Sequence, residues 1–301
     1  MNSLREQIAA NQAKTWIILI IFSAVVAGLA WLFATLMGFR AGTMGQIGFY
    51  LILIGVMNFV SYYWSDKIVL KMTGAKPVTE KEAPEVYKSV HHLVQIAKIP
   101  MPKVYVINDP TPNAFATGRD PNHASIALHT GLLERLDEKQ VEGVIAHELS
   151  HVKNFDTRVM AIVAMIAGVL SILSDMFRFQ TMFGREDDED NAPNPILMAV
   201  GLVAAIVAPI AAMLVQLAIS RRREFLADAT GASITHNPEG LASALLKISS
   251  TKMPSPTAHT GTAHLYFGNP FGAKAGSGLF KLFMTHPPVE ERVKALRSLK
   301  I

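Results

Sequence analysis

Two histidines with a glutamate between them form the most informative pattern in the chain, His147-Glu148-Leu149-Ser150-His151. The sequence predicts a helix here, and side chains four residues apart on a helix project from the same face, one turn apart. Both imidazoles can therefore reach one metal ion, while Glu148 can contact a metal-bound water without being a ligand. A chance match in a chain of this length is expected on the order of one time in a hundred. The pattern predicts a catalytic metal site rather than two exposed histidines near a helix end.

A third ligand is needed, because a catalytic zinc usually takes three protein ligands and leaves one position to water. The chain has no cysteine, so the ligands must be imidazole and carboxylate, a choice more typical of catalytic than of structural zinc. We predict Glu224 as the third ligand. Asp228, one turn further on, is placed to accept a hydrogen bond from a ligand histidine. Taken alone, this segment would indicate a solvated helix end whose acids neutralise the preceding arginines, Arg221, Arg222 and Arg223.

The composition indicates that part of the chain faces lipid. Half of the residues are hydrophobic and 17% are charged, whereas a soluble domain carries about a quarter charged residues. A membrane-spanning helix needs about 20 apolar residues, and four apolar runs are candidates: 16–37, 44–64, 159–173 and 196–219. The third run is short, and a buried hairpin within a soluble domain is the alternative for it. The expected fold is α+β and mainly helical, with four transmembrane helices.

The charges between the runs predict an orientation and a division of the chain. Basic residues follow the second and fourth runs, and an acidic loop at 186–190 separates the third from the fourth. The positive-inside rule then places both termini and both polar parts in the cytoplasm. We expect two transmembrane hairpins, one before each polar part. The predicted division is 1–65 for the first hairpin, 66–158 for a catalytic part, 159–219 for the second hairpin and 220–301 for a part with the third ligand and a C-terminal helix.

The two polar parts, 66–158 and 220–301, are predicted to be folded. Apolar residues at helical spacing predict a helix over 85–98 and another over 138–152, and two short β-prone runs fall at 104–107 and 125–128. A final amphipathic helix is expected from about Pro287. Its predicted buried face is formed by Val289, Val293, Leu296 and Leu299.

Together these features resemble the HtpX family of bacterial membrane-integral zinc metalloproteases, which is related to the catalytic core of the CAAX prenyl endopeptidases. The resemblance implies a zincin-like catalytic domain, one zinc ion per chain and a location in the bacterial inner membrane. It also implies an endopeptidase that faces the cytoplasm and degrades misfolded or damaged membrane proteins, with protein substrates and the lipid bilayer as its partners. The motifs that carry it cover nearly the whole length: the two N-terminal runs, Asn113-Ala114-Phe115-Ala116-Thr117-Gly118, the histidine motif, the second hairpin, Glu224 to Asp228, and Thr285-His286-Pro287-Pro288.

The resemblance also implies roles for single residues. His147, His151 and Glu224 would bind zinc, and Glu148 would be the general base that takes a proton from water and passes it to the leaving amine. The segment Asn113, Ala114 and Phe115 would be an edge strand that pairs with an extended substrate, although Pro112-Asn113 is equally a signal for a plain turn. His286 would contact the reacting carbonyl, and its alternative is a helix-entry residue before Pro287.

Three other functions are weighed against this one. A prenyl-peptide processing protease would use the same chemistry on a narrower substrate. A non-catalytic zinc-binding membrane adaptor would have no use for Glu148 between the histidines. A transporter is disfavoured because the four apolar runs contain no ionisable residue. Nucleic-acid binding is excluded as a leading hypothesis, since the chain has no dense basic face and no zinc-finger spacing.

Overall fold

The structure is a computed structural model of the chain. It describes residues 44–164, 221–251, 253–257, 262, 265–268 and 287–299, together with residues 13, 16–21, 23 and 24. Most of the first apolar run, the acidic loop, the fourth run and His286 lie outside these residues. What the sequence predicts for them stays a prediction.

A mixed four-stranded sheet lies at the centre of the polar part. Its strands are arranged in the order β1-β2-β4-β3. The two central strands, β2 and β4, pair in parallel, whereas β1 and β3 run antiparallel to their neighbours. The two β-prone runs of the sequence are these central strands, and the segment that begins at Asn113 leads into an edge strand. The bounds are β1 (Lys76–Pro77), β2 (Lys103–Ile107), β3 (Ala114–Thr117) and β4 (Ser125–His129).

The predicted helices are confirmed close to their expected bounds. The helix expected over 85–98 is α2, the histidine motif lies in α4, and the C-terminal helix is α7. Residues 156–164 are also helical and begin the third apolar run. The helix bounds are α1 (Met44–Met72), α2 (Pro84–Ala97), α3 (Thr130–Arg135), α4 (Glu138–Lys153), α5 (Arg221–Thr235), α6 (Pro238–Ser249) and α7 (Val289–Arg297).

Side chains of the sheet alternate between two hydrophobic layers, as the period of a strand requires. Val104, Ile126 and Leu128 face a core that they share with α2, α4, α6 and α7. On the other face, Phe115 and Ala127 contact a second core. The sheet therefore lies between two sets of helical segments. The second core includes residues from the first and third apolar runs and from the end of α1, namely Ile18, Leu19, Val69, Leu70, Val159 and Ile162.

Helix α4 is buried along most of its length, and its start is well defined. The Asp137 side chain accepts a hydrogen bond from the backbone N–H of Gln140, and the Gln140 side chain accepts one from the backbone N–H of Asp137. This capping box satisfies two backbone donors at the helix start. Beyond it, the helix packs against α2, α5, α6 and β3. The histidine motif is therefore held in the interior on all sides.

The second apolar run forms most of α1, and several of its large side chains are exposed. Ile52 is 68% exposed, Phe59 53% and Trp64 41%. At the end of the run, the guanidinium groups of Arg158 and Arg119 lie over the rings of Tyr62 and Tyr63. None of the helices in the described part of the chain has both the length and the hydropathy that a membrane crossing requires.

Two glycines let neighbouring helices approach α4 closely. A Cβ atom at Gly143 would lie 2.8 Å from the backbone nitrogen of Leu241 in α6. One at Gly231 in α5 would lie 3.0 Å from the backbone nitrogen of His147. Because both neighbours are backbone atoms, they cannot move aside as a flexible side chain would. Gly231 therefore sets how near α5, with its carboxylates, comes to the histidines.

The crossing at Gly143 gives a test of this packing. We expect Gly143→Ala to lower the free energy of unfolding by about 1–3 kcal/mol, the usual cost of an overpacked core, although alanine is intrinsically favoured over glycine in a helix by about 1 kcal/mol. Thermal unfolding of the full-length chain in detergent measures the change. Gly55→Ala is the matched control, since a Cβ there meets no atom within 4 Å, and its melting temperature should not fall. Equal melting temperatures for the two variants would contradict the close approach.

Candidate metal centre

Helices α4 and α5 bring three predicted ligands together. One ligand atom each from His147, His151 and Glu224 lies within 4.8 Å of the others, and all three side chains are buried. The two Nε2 atoms are 3.1 Å apart. The Glu224 carboxylate faces both imidazoles, with Oε2 3.8 Å from Nε2 of His147 and Oε1 3.6 Å from Nε2 of His151. The three side chains thus point at one small volume.

These distances suit a zinc ion. Nitrogen and oxygen ligands lie about 2.0–2.2 Å from zinc in tetrahedral geometry, so neighbouring ligand atoms are about 3.3–3.6 Å apart. The observed separations bracket this range. Two imidazoles and one carboxylate are also the ligand set of several catalytic zinc sites, in which the fourth position is left to water. The site therefore fits the cofactor that the sequence predicts.

Each histidine is oriented by a buried carboxylate on its other ring nitrogen. Nδ1 of His147 lies 3.0 Å from Oδ1 of Asp228, as the sequence predicts for that residue. Nδ1 of His151 lies 3.1 Å from Oδ2 of Asp156. A carboxylate in this position favours a proton on Nδ1 and leaves the Nε2 lone pair for a metal. Both imidazoles can therefore bind a metal ion through Nε2.

Sequence reasoning missed Asp156. It comes after the end of α4, where Asn154 is the C-cap and Phe155 has a left-handed backbone with φ of 59°. This reversal returns the chain toward His151. Asparagine often marks the end of a helix, so Asn154 could have predicted that the chain turns there. The acid just beyond it, Asp156, was then a candidate for orienting His151. Asp156 is also paired with Arg223, whose Nη1 donates to its Oδ1 at 3.2 Å.

Arg292 on α7 was also missed. Its guanidinium makes a two-point contact with Asp228, from Nε to Oδ2 at 2.8 Å and from Nη2 to Oδ1 at 2.7 Å. In the sequence, Arg292 falls between Val289 and Leu296 at helical spacing, on the face predicted to be buried. A charged residue on that face was the available signal.

The electrostatics of the two histidines differ. Burial outweighs the hydrogen bond to Asp228 and lowers the pKa of His147 to about 4. At His151, burial acts in the same direction, but the hydrogen bond to Asp156 and the charges of Glu224, Asp156 and Glu148 outweigh it and raise the pKa to about 9. The carboxylates around His151 therefore stabilise a positive charge on its imidazole.

Glu148 is attached to the edge of the sheet. Its Oε2 accepts a hydrogen bond of 2.8 Å from the backbone N–H of Ala116 in β3. The side chain is 4% exposed and lies on the same helix as the two histidines. This contact holds the Glu148 carboxylate against the edge strand, on the helix that carries His147 and His151.

The outer edge of β3 is partly occupied by the chain itself. The backbone N–H of Phe267 donates to the carbonyl of Ala114 at 3.0 Å. The Asn113 side chain bonds Gly268 twice, accepting from its N–H at 2.9 Å and donating to its carbonyl at 3.0 Å. The Phe115 ring is fully buried, on the opposite layer of the sheet. Part of the segment predicted to pair with substrate is thus engaged by residues 267–268, and its substrate role stays a prediction.

A buried acid anchors the segment that precedes Phe267. The hydroxyls of Ser255 and Thr257 donate to Oδ2 of Asp109 at 2.6 Å and 2.7 Å, and Thr111 donates to Oδ1. Against the effect of burial, these hydrogen bonds lower the pKa of Asp109 to about 2. The chain between α6 and α7 is therefore fastened at two points, Asp109 and Asn113, to the connection between β2 and β3.

Comparisons with known proteins bear directly on this site. Residues 80–300 match the model of peptidase family M48. A "Protease HtpX homolog" of Caldanaerobacter subterraneus subsp. tengcongensis is 43% identical over 99% of both chains. One of Syntrophobacter fumaroxidans is 47% identical over 92% of this chain and 98% of its own. A crystal structure of S. mikatae Ste24p is similar over 94% of this chain and 67% of its own, at 17% identity and a TM-score of 0.47.

The family and the enzyme class follow from these matches. The chain belongs to peptidase family M48 and is a metalloendopeptidase. Its similarity to HtpX proteases extends over nearly its whole length, which confirms the resemblance predicted from the motifs.

Removing single carboxylates tests the metal site. We expect Glu224→Ala to abolish tight zinc binding, since a ligand is lost, and Asp156→Asn to weaken binding by about 10–100-fold, since a group that only orients a ligand is lost. Competition with a chromophoric chelator measures the dissociation constant in the full-length chain. Glu239→Gln is the control, because this acid on α6 is 57% exposed and should leave zinc binding unchanged. Wild-type affinity in Asp156→Asn would show that Asp156 does not orient His151.

Proposed function

We propose that the chain is a zinc-dependent endopeptidase bound to the bacterial inner membrane, and that it cleaves misfolded or damaged membrane proteins at the cytoplasmic face. His147, His151 and Glu224 are the proposed ligands of one zinc ion per chain. The observation that carries the proposal is the convergence of these three side chains next to Glu148, with a carboxylate behind each histidine. This arrangement supplies both a metal site and a base.

Zinc, when bound, supplies a Lewis acid that polarises the substrate carbonyl and lowers the pKa of a water molecule. In the proposed reaction, Glu148 accepts the proton of that water during attack and delivers it to the leaving amine. The bond from Ala116 to Glu148 holds the carboxylate close to the edge strand. A peptide on that strand would therefore present its carbonyl beside both the base and the metal site.

Substrate binding is assigned to the edge of β3 and to the start of α7. An extended peptide can add to an exposed strand edge through backbone hydrogen bonds, which suits unfolded substrates of varied sequence. Asn113, Ala114 and Phe115 remain the proposed docking segment, and a peptide that pairs with the carbonyl of Ala114 would displace the N–H of Phe267 from it. His286, two residues before the N-cap Pro288, is the proposed contact to the reacting carbonyl.

A membrane location is supported by the packing around the second hydrophobic core. Residues from the first and third apolar runs and from the end of α1 meet there against one face of the sheet. The helical residues 156–164 begin the third run a few positions after His151. Helix α1 also exposes Phe59, Tyr63 and Trp64, and aromatic residues of this kind favour the membrane interface. The proposed active site would then lie close to the membrane surface, within reach of membrane-protein substrates.

The proposed reaction is tested by Glu148→Gln. We expect cleavage of an unfolded protein to fall by about 10²–10⁴-fold, the usual contribution of a general base, while zinc content stays near that of the wild type because no ligand is changed. Metal analysis and a cleavage assay on the same preparation measure both. A prenylated peptide assayed in parallel separates the narrower processing function from general proteolysis. Cleavage by Glu148→Gln at the wild-type rate would end the assignment of Glu148 as base.

The proposed orientation is tested by reporter fusions. We expect fusions at residues 75 and 301 to report the cytoplasm and one at residue 190 to report the outside, because the basic flanks and the acidic loop follow the positive-inside rule. Paired reporters that are active on opposite sides of the membrane give the readout. A cytoplasmic signal at residue 190 would contradict the second transmembrane hairpin and favour the buried alternative.

A further inference from the structure

The largest fully buried side chain among the described residues is a charged one, Arg292. It comes from α7, the last helix of the described chain, and is 1% exposed. A buried charge is costly to remove from water unless it is closely paired. Arg292 must therefore be paired by its surroundings, and these surroundings are the candidate metal centre.

The guanidinium determines how Asp228 is oriented. It binds both carboxylate oxygens at once, from Nε to Oδ2 at 2.8 Å and from Nη2 to Oδ1 at 2.7 Å. Oδ1 is also the atom that lies 3.0 Å from Nδ1 of His147. A two-point contact fixes the plane of a carboxylate as well as its position. The direction in which His147 presents its other nitrogen thus depends on Arg292.

The same guanidinium also faces the proposed third ligand. Its Nη1 lies 3.7 Å from Oε2 of Glu224, the oxygen that faces Nε2 of His147. The ring of Phe267 packs against the guanidinium at 5.2 Å and against the His147 ring at 5.0 Å. Arg292 is therefore held between an aromatic ring and two carboxylates, with little freedom to leave them.

Apolar contacts also dock the helix that carries Arg292. Val293 and Leu296 of α7 pack in the first hydrophobic core, and α7 lies against α6 and α5. Asp228 and Arg292 are 64 residues apart in the chain. The metal centre therefore receives one of its fixed charges from a distant element.

We propose that Arg292 is a positioning residue for the metal centre, which orients Asp228 and Glu224 so that docking of α7 and zinc binding stabilise each other. The inference rests on the proposed zinc ligands. Because coupling between two binding events is reciprocal, zinc should protect α7, and a disrupted α7 contact should weaken zinc binding. Lysine cannot replace the planar fork of arginine at such a site, although it keeps the charge.

The test uses the full-length chain in detergent and two variants of Arg292. We expect Arg292→Gln to weaken zinc binding by about 10–100-fold, as loss of an orienting contact does, and Arg292→Lys to weaken it by less. At saturating zinc, kcat should fall while KM stays close to the wild-type value. Chelator competition and steady-state kinetics give these numbers.

A matched control lies on the same helix. Arg297 makes an equivalent two-point contact with Glu239, from Nε to Oε2 at 2.9 Å and from Nη2 to Oε1 at 2.7 Å, but the pair is exposed and remote from the site. Arg297→Gln should leave the zinc dissociation constant, kcat and KM unchanged. Comparison of Arg297→Gln with Arg292→Gln therefore distinguishes the effect of removing any arginine from α7 from the effect of losing the contact with Asp228.

Hydrogen exchange gives a readout that does not depend on activity. Zinc should slow amide exchange over 289–297 in the wild type and in Arg297→Gln, and this protection should be reduced in Arg292→Lys and Arg292→Gln. Wild-type zinc affinity together with full protection of 289–297 in Arg292→Lys would overturn the inference. The same two results in Arg292→Gln would also overturn it, provided that this variant folds, even if its melting temperature is lowered. In that case, zinc binding by the wild type and inactive Glu148→Gln would still support the proposed function.

Discussion

Pairing of buried charge is the constraint on which the centre of this molecule depends. His147, Glu148 and His151 lie on a helix that is packed on all sides, so each polar side chain needs a partner inside the protein. Asp228 and Asp156 face the histidines, the N–H of Ala116 faces Glu148, and Arg292 and Arg223 face the two aspartates. These partners come from the segment that follows α4, from strand β3 and from helices α5 and α7. The arrangement of α5, α7 and β3 around α4 is therefore the one that satisfies these groups.

The sheet relates this centre to the apolar runs. Because side chains alternate along a strand, one face of the sheet packs on the helices of the catalytic part and the other on the ends of the runs. Strand β3 lies at the edge of both layers and contacts Glu148 directly. For an enzyme of family M48, this places the edge strand, the proposed base and the second hydrophobic core in one neighbourhood.

The chain between α6 and α7 also contacts both hydrophobic cores, because Phe267 lies in the first and Leu265 and Tyr266 lie in the second. Asp109 holds Ser255 and Thr257, and Asn113 holds Gly268, so the segment is fastened at two points to the connection between β2 and β3. Phe267 then reaches between His147 and Arg292. This stretch, which is rich in glycine and proline, thus contributes to the wall of the candidate metal centre.

What the sequence determined by itself was local. The spacing of His147 and His151, the helix around them and the central strands follow from periods of 3.6 and 2.0 residues, and these periods are visible in any short window. Glu224 and Asp228 were proposed because zinc chemistry requires a third ligand and an orienting acid, and the structure places both beside His147. Only the tertiary structure decided that Asp156 turns back to His151, that Arg292 reaches Asp228 and that residues 267–268 lie on the edge of β3. Those contacts depend on where helices cross and where irregular segments return, and such long-range geometry has no period from which a sequence could reveal it.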